Sequence, residues 1–481
     1  MGQVHKMFNS RYPIWGVLII GNRRYNVGGD MESKAQVDTH LSQLARRNME
    51  KSMFGEVFTP VAVIDDMLAA LPAHVWKNPD YKWCDPACGI GNFPLKIIFG
   101  GVGYIGLLDG LADDMPNKSK RLEHILENML YCGDINSSSV NQLLQTLKEI
   151  APDAKPNVRV GDFLETTATP EFDIIVGNPP YNSGGTKRVG EKRLHVRFTA
   201  HALACLNSHG YLLFVCPPNY REAGSTMNML FRGAKGVFEY IRVYGPNETH
   251  KLFKVQARVD AFLWHADAVG KCTVLDERGG HYKGFIDLTH HVPNFGFSIF
   301  EKLRASPSAD LTAYRNTEAT TITCEKSGLV PNGAHKIIHL IIEGGMKIMR
   351  RNKPHSLQNV RKIILNGLGI PYVFYDREGK YGITQTPVVI TNPTEALYTF
   401  MKSPLFYCML WGLRITGNNN LPYMLEDIPA DYGKDLKFTP DELALIESFR
   451  VPTFELKEVS GDTCVRKTRR VKRGTRSRPA K

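Results

Sequence analysis

The sequence lacks the features that would place it outside the cell, in a membrane or around a metal. Its longest early apolar run, residues 12–20, is shorter than a membrane span and precedes no small-residue cleavage site. The nine cysteines include no CxxC pair and come closest at Cys84 and Cys88, so they indicate neither a disulfide framework nor a zinc site. These absences predict a cytoplasmic protein with no membrane partner and no bound metal.

Acidic residues are absent from the last part of the chain. Residues 465–481 carry nine Lys or Arg and no Asp or Glu, and so hold most of the formal net charge of +12. Such a run is either a solvated tail or a salt-dependent contact with phosphates. Elsewhere the 43% hydrophobic and 22% charged residues are globular values, and 481 residues suggest two to four domains.

The pattern of the chain predicts four regions. Residues 1–50 form an N-terminal extension, with a hairpin around "IIGNRRYNVGG" and then a polar helix. In residues 51–268, strand-like apolar runs alternate with helical patterns, which is typical of a mainly parallel sheet covered by helices. Residues 269–435 are richer in turns and predict a second, smaller domain, and residues 436–481 form a C-terminal segment with the basic tail.

Seven runs predict the strands of this α/β sheet. They are "YKWCDPA", "MLYCGDI", "NVRVGDF", "FDIIVGN", "GYLLFVCP", "YIRVYG" and "VDAFLW". An extra helix, "RLEHILENML", is expected before the second of them.

Polar residues follow several of these runs at the point where the strand ends. Asp85 precedes Gly89 and Gly91, whose missing side chains let a ligand approach the backbone, although a tight strand-to-helix turn would explain them too. Asp134 ends the next strand, where a ribose diol would find a bidentate acceptor, and Asp162 ends another. A turn aspartate is the common explanation for either residue alone.

The stretch "NPPY", residues 178–181, is rare by chance and ends the fourth run. In an open parallel sheet, ligands bind outside the carboxyl ends of the strands, so the four polar stretches predict one crevice. The crevice is rich in hydrogen-bond acceptors and poor in nucleophiles or bases of the Ser/His/Asp kind. That composition favours an enzyme that transfers a chemical group by holding the reactants in position.

Residues 55 to about 265 resemble the S-adenosylmethionine-dependent DNA adenine-N6 methyltransferases of restriction-modification systems with the gamma-type motif order. In that family an FTP motif precedes the glycine-rich cofactor loop, and "GEVFTPVAVIDDML" stands in that place. "DPACGIGNF", "LYCGDIN", "GDF" and "NPPY" then follow in the family's order, with Ile90 in place of the usual small residue. The resemblance implies a Rossmann-like class I fold, with a mixed, mostly parallel seven-stranded sheet and a C-terminal target-recognition domain.

The resemblance also implies how the cofactor, S-adenosyl-L-methionine, is held. Its amino-acid end would lie near the FTP segment and the glycine loop, its ribose on Asp134, and its adenine amino group on Asp162. The full set of implied cofactor contacts is Phe58, Thr59, Pro60, Asp85, Cys88, Gly89, Gly91, Phe93, Asp134, Asp162 and Asn178.

The implied catalytic residues are Asn178, Pro179, Pro180 and Tyr181. The N6 amine of adenine is a poor nucleophile because its lone pair is delocalised into the ring. Acceptors on its protons, the Asn178 side-chain oxygen and the Pro179 carbonyl, would draw it out of conjugation, with the prolines fixing the carbonyl. Tyr181 would stack on the flipped-out base, and Phe253 is the candidate for a second aromatic contact, although a buried phenylalanine is the commoner identity of such a residue.

The implied partner is double-stranded DNA in a bacterial or phage-infected cell, with a separately encoded restriction endonuclease as a possible second partner. Methyltransferases acting on RNA bases or on protein glutamine share "NPPY" and a glycine loop, and they remain the alternative. A decayed, non-catalytic fold would predict damaged motifs, whereas these are intact. A fused nuclease would need the acid-x-Lys of Glu378 and Lys380, which turn chemistry explains better.

Overall fold

The computed structural model describes residues 18–20, 23–25, 59–181, 193–314, 318, 329–330, 332–367, 369–415 and 424–460. The chain divides into two compact units. The first is Met1–Leu194 with Ala204–Leu213, and the second is His195–Leu203 with Phe214–Lys481. The predicted polar helix near the N-terminus and the basic tail lie outside the described residues.

A short hairpin stands at the start of the first unit. Strands β1 (Leu18–Ile20) and β2 (Arg23–Tyr25) pair antiparallel, so the hairpin predicted around "IIGNRRYNVGG" is confirmed.

Seven strands coincide with the seven predicted runs. They are β3 (Trp83–Asp85), β4 (Leu130–Asp134), β5 (Asn157–Val160), β6 (Phe172–Gly177), β7 (Leu206–Cys216), β8 (Gly236–Tyr244) and β9 (Val259–Ala266). In the first unit the order is β7-β6-β3-β4-β5, and β3 runs parallel to β4 and β6, as β4 does to β5. The predicted mixed, mostly parallel α/β sheet is confirmed.

Burial explains why these strands could be recognised in the sequence. Ile174, Ile175 and Val176 of β6 are consecutive and fully buried. Because neighbouring side chains in a strand point to opposite faces, both faces of the sheet must be covered there. The continuous apolar run is the consequence.

Five helices of the first unit follow the expected alternation with the strands. They are α1 (Val61–Leu68), α2 (Asn92–Phe99), α3 (Leu107–Gly110), α4 (Lys118–His124) and α5 (Ser137–Ile150), with α6 (Leu194–Cys205) at the boundary between the units. Helix α4 continues into a π-helical turn, Ile125–Met129, so the predicted extra helix is confirmed. Helix α5 starts at Asn136, whose side chain accepts the N–H of Ser138, and buries Leu143 and Leu147 one turn apart.

The predicted strand count of seven is too low. The sheet has nine strands, because β10 (Cys272–Leu275) and β11 (His281–Gly284) extend it beyond β8. These strands have four residues each, and β11 is largely polar and exposed, so neither has an apolar run to reveal it. The predicted boundary between residues 268 and 269 precedes both strands.

The rest of the second unit contains two four-stranded sheets. One has the order β12-β18-β15-β16 and the other β17-β13-β14-β19. Their strands are β12 (Ala313–Tyr314), β13 (His335–Ile342), β14 (Gly345–Arg351), β15 (Lys362–Asn366), β16 (Val373–Asp376), β17 (Gly382–Ile383), β18 (Pro387–Thr391) and β19 (Glu458–Ser460). In the described part of this unit the helices are α7 (Thr226–Gly233), α8 (Pro246–Phe253), α9 (Phe297–Arg304), α10 (Glu395–Phe400), α11 (Pro404–Gly412) and α12 (Pro440–Glu447).

Residues 436–460, the described part of the predicted C-terminal segment, contribute to these layers. Strand β19 pairs with β14, and Ile446 and Phe449 join the core around α11. A reversal at residues 377–378 leads from β16 towards β17, as turn chemistry predicts for "YDREGKYG". In the described part of the chain no helix is long and apolar enough to cross a membrane.

Candidate active site

Three strand ends of the first unit meet at one edge of the sheet. Strand β3 ends at Asp85, whose neighbour in β4 is Cys132, two residues before Asp134. On its other side β3 pairs with β6, which ends at Gly177 directly before Asn178. Since β3 is parallel to both neighbours, the structure brings these predicted residues to the same edge.

The glycine loop lies between β3 and α2 and takes a left-handed backbone. Gly89 has φ +52° and Gly91 has φ +96°, values that a side chain disfavours. A Cβ on Gly91 would overlap the Leu143 side chain of α5, whereas a Cβ on Gly89 would meet nothing within 4 Å. Gly91 therefore serves packing, and the space beside Gly89 is open to a ligand.

Asp134 joins this loop to the neighbouring strands. Its Oδ2 accepts the Gly89 N–H at 2.9 Å, and its Oδ1 accepts the Asn136 N–H at 2.8 Å. The main-chain carbonyl of Asp134 accepts the N–H of Gly161 at 3.0 Å, which places the end of β5, and with it Asp162, alongside. Asp162 is half-buried, and its Oδ1 accepts the Leu164 N–H at 2.9 Å.

Asp85 is the most unusual group at this edge. It is 1% exposed, its Oδ1 accepts the Ala87 N–H at 3.2 Å, and its buried Oδ2 has no hydrogen-bond partner among the described residues. Burial raises the pKa of the Asp85 carboxyl, the Ala87 N–H opposes this rise and the charge of Asp134 adds to it, so that the pKa is about 8. A buried acceptor of this kind lacks a donor or a cation.

Gly177 was not singled out in the sequence, yet the geometry depends on it. A Cβ at this position would lie 2.9 Å from Asp85 Oδ1. The close approach of β6 to Asp85 therefore requires glycine. The available signal was a glycine between a buried apolar run and Asn178.

Asn178 is linked to the FTP segment. Its Nδ2 donates to Oγ1 of the buried Thr59 at 3.0 Å, across 119 residues of sequence. This hydrogen bond holds the Asn178 amide against the FTP segment. The two motifs that the sequence predicted to share a site are in contact.

The remaining predicted residues surround this contact. Pro179 is buried and Pro180 exposed, while Tyr181 and Pro60, which precedes α1, are half-buried. Cys88 and Phe93 are buried, and a hydrogen bond with Cys132 together with burial holds the pKa of the Cys88 thiol far above its usual range. Phe58 lies outside the described residues.

Phe253 belongs to the second unit, at the end of α8. It is buried, with its ring edge-on to Tyr244 at a centroid distance of 6.4 Å. These contacts are those of a core phenylalanine, and its stacking role stays a prediction. No group of three or more His, Cys, Asp or Glu side chains in the described residues is arranged to hold a metal.

Part of the chain is similar to known methyltransferases. Residues 119–241 match the model of the methyltransferase small domain. Over 112 residues the chain is 32% identical to a protein of Mycoplasma pneumoniae described as an uncharacterized adenine-specific methylase. The predicted resemblance to the adenine-specific methyltransferases is confirmed. The aligned part spans 21% of this chain and only a quarter, 25%, of that relative.

Solved structures of restriction-modification proteins show a partial likeness. The M protein of the type I restriction enzyme EcoKI has 16% identity and a TM-score of 0.36, covering 54% of this chain and 60% of its own. The type IIL restriction-modification enzyme MmeI, solved in complex with DNA, has 9% identity and a TM-score of 0.45, covering 80% and 68%.

Proposed function

We propose that this protein transfers a methyl group from S-adenosyl-L-methionine to N6 of a flipped-out adenine in double-stranded DNA (EC 2.1.1.72, the class given for the EcoKI M protein). The observation that carries the proposal is the juxtaposition at the end of β6. Gly177 approaches Asp85, whose Oδ2 has no hydrogen-bond partner among the described residues, and the next residue, Asn178, presents an amide held by Thr59. A site for a cationic ligand thus adjoins a site for an amine.

The residues of the crevice fit this cofactor. Asp85 Oδ2 would accept from the ammonium of the methionine end, which supplies the missing donor. Each oxygen of Asp134 accepts one backbone N–H and retains a second lone pair for the ribose hydroxyls. Asp162 would accept from the adenine amino group, and the open space at Gly89 admits the ligand. When bound, the cofactor supplies an electrophilic methyl group on a sulfonium.

Catalysis would depend on acceptors that are placed before the reaction. The Asn178 oxygen and the Pro179 carbonyl would take the two N6 protons and stabilise the positive charge that develops on nitrogen. Because Pro179 and Pro180 fix their φ angles, little ordering entropy is lost when the carbonyl is used. The face of Tyr181 would offset part of the unstacking cost, a few kcal/mol, of the extruded base.

The alternative substrates are RNA bases and protein glutamine. The presence of an FTP segment and of a large second unit favours DNA, because reading a duplex needs a surface beyond the catalytic crevice. We place site recognition in residues 269–435 and treat a separately encoded endonuclease as a possible partner of the methylation system.

The proposal is tested by supplying purified protein with radiolabelled S-adenosylmethionine and duplex DNA of mixed sequence. Label is expected in N6-methyladenine after digestion to nucleosides, concentrated in one short sequence context. The Asn178→Ala protein, prepared in parallel, controls for a contaminating methylase. Label that enters only RNA or protein would overturn the choice of DNA.

The affinity for S-adenosylmethionine is expected to rise from pH 6 to pH 7.5. With a pKa of about 8, Asp85 is mostly protonated in the free protein at pH 6 and has no charge to offer an ammonium. Below that pKa each pH unit raises the ionised fraction about tenfold, so the Kd should fall by close to tenfold per unit. Calorimetry at matched ionic strength measures the Kd at each pH. Asp85→Asn should bind the cofactor weakly, with a Kd that does not change with pH. A flat wild-type profile would mean that Asp85 does not meet the ammonium.

A further inference from the structure

The second unit contains an arginine-rich cavity that no predicted motif touches. Its volume is about 330 Å³. Its lining comes from the residue before β9, from the β10–β11 turn and from positions at or near the ends of helices distant in sequence: Arg258, Glu277, Arg278, Phe295, Trp411, Ser448, Phe449 and Arg450.

In this cavity the guanidinium of Arg278 lies against two aromatic rings. Its guanidinium is 4.6 Å from the ring of Phe295 and 4.4 Å from the ring of Phe449, and the two rings are stacked at 5.5 Å with 16° between their planes. One weak hydrogen bond of 3.4 Å joins its Nη1 to Ser448 Oγ. These contacts hold the guanidinium beside the two rings, and because Arg278 is exposed, its N–H groups are accessible to solvent.

The cavity has more positive charge than its acids neutralise. Nε and Nη2 of Arg258 donate to the carboxylate oxygens of Glu277, at 2.7 and 3.0 Å. Arg278 and Arg450 are exposed, and neither forms an ion pair with a carboxylate among the described residues. Arg414 lies over the Trp411 ring at 4.8 Å, where burial, and then the charge of Arg258, lower the pKa of its guanidinium. Such crowding of cations favours an anion.

We propose that this cavity binds a phosphate group, supplied by the phosphodiester backbone of DNA. A planar guanidinium offers two parallel N–H groups that match two phosphate oxygens, and Arg450 adds a second charge. The rings of Phe449 and Trp411 give apolar contact for the adjoining sugar. The choice of DNA as the source rests on the proposed function.

The shape of the cavity suits a chain that passes through it. Its volume is at the lower end of small-molecule sites, enough for one phosphate with its sugar. The two unpaired arginines are both exposed, so phosphate held between them would remain open to solvent on either side. A backbone phosphate meets that condition because the strand must continue in both directions.

The test is the salt dependence of binding to a fluorescent duplex. Arg278→Gln and Arg450→Gln should each weaken binding several-fold near physiological salt. Each should also flatten the plot of log K against log salt concentration by about 0.9, the value for one phosphate contact. Arg278→Lys keeps the charge but not the stacked plane, and it should fall between wild type and Gln in affinity.

Arg377→Gln is the matched control. Arg377 also lies over an aromatic ring, Tyr375 at 4.4 Å, but both its Nε and Nη2 are paired with Glu395, at 2.9 and 2.8 Å. Its replacement removes the same charge and a similar stack from the same unit. The salt slope should not change.

A second measurement separates the sources of phosphate. Binding of inorganic phosphate to wild type and to Arg278→Gln is followed by calorimetry. If Arg278→Gln loses phosphate binding but keeps the wild-type slope of log K for DNA against log salt concentration, the cavity binds a free phosphate. That result would overturn DNA as the source of the phosphate. If neither quantity changes in variants that melt like wild type, the cavity is not a phosphate site. If wild type binds no duplex at all, the proposed function fails, while the calorimetry still decides the cavity.

Discussion

Replacing Asn178 with alanine is expected to lower kcat for methyl transfer at least 10²- to 10³-fold, the order found when one preorganised hydrogen-bonding group is removed from a transition state. Binding of S-adenosylmethionine should change little. The amide is needed when charge develops on the attacking nitrogen, whereas the groups proposed for the cofactor, Asp85, Asp134 and Asp162, remain. Single-turnover transfer and equilibrium cofactor binding measure the two effects separately.

Thr59→Val gives this prediction a graded control. The variant keeps the Asn178 oxygen but removes the hydroxyl that accepts from its Nδ2 at 3.0 Å. The amide would then lose one of the contacts that hold it, so the rate should fall by about tenfold, less than for Asn178→Ala. If Asn178→Ala instead loses cofactor binding and keeps its rate at saturating cofactor, Asn178 acts in the cofactor pocket and not on the N6 amine. The proposed mechanism would then be wrong.

The sequence predicted the parts of the fold that are buried on both faces. Strands β3, β6, β7 and β9 contain runs of consecutive buried residues, and Ile174 to Val176 are the clearest case. Strands β10 and β11 were missed because "CTVL" and "HYKG" are short and partly exposed. Their pairing depends on tertiary contacts, which the hydrophobic periodicity of a short stretch of sequence does not reveal.

For the site, the sequence indicated which residues share an edge but not how they meet. Asp85, Asp134 and Asn178 follow apolar runs, and parallel strands bring such residues together. That Gly177 lies against Asp85, and that Thr59 holds the Asn178 amide, depends on contacts across 92 and 119 residues. Phe253 shows the opposite case, since an aromatic residue in a plausible place has the contacts of a core side chain.

The arginine cavity could not be predicted for a related reason. Its arginines come from separate parts of the chain, at 258, 278 and 450, and the conspicuous basic run of the sequence lies elsewhere, at 465–481. A count of charge along the chain detects a run, whereas a site assembled from residues distant in sequence needs the fold. The same is true of the buried ion pair in the second unit.

Asp260→Ala is expected to destabilise the second unit by about 3–5 kcal/mol, the range for leaving one member of a buried pair uncompensated. Arg221 and Asp260 are both fully buried, and they form two hydrogen bonds, Nε to Oδ2 at 2.6 Å and Nη2 to Oδ1 at 3.1 Å. Nη1 of Arg221 donates to the Val292 and Pro293 carbonyls and to Asn294 Oδ1. Each guanidinium nitrogen thus has an acceptor, and removing the carboxylate leaves its charge in the core.

The two single variants should differ in a defined direction. Arginine cannot lose its proton at neutral pH, so Asp260→Ala leaves a permanent buried charge. In Arg221→Met the remaining carboxyl can take up a proton, and burial already raises the pKa of Asp260. Arg221→Met should therefore be the milder change, and it should lose stability as the pH rises. Apolar replacement of both residues should recover much of the loss.

Thermal midpoints followed by near-ultraviolet circular dichroism measure this series, with a fall on the order of 10 °C expected for Asp260→Ala. Glu395→Ala is the matched control, because it breaks an arginine–carboxylate pair of similar geometry that is exposed to solvent, and its midpoint should stay at the wild-type value. Equal shifts for the two pairs would contradict the argument from burial.

Asn294 also donates to the Trp411 and Arg414 carbonyls, so the Arg221 network reaches the helix that lines the arginine cavity. Loss of the pair should then weaken phosphate binding there even at temperatures where the unit remains folded.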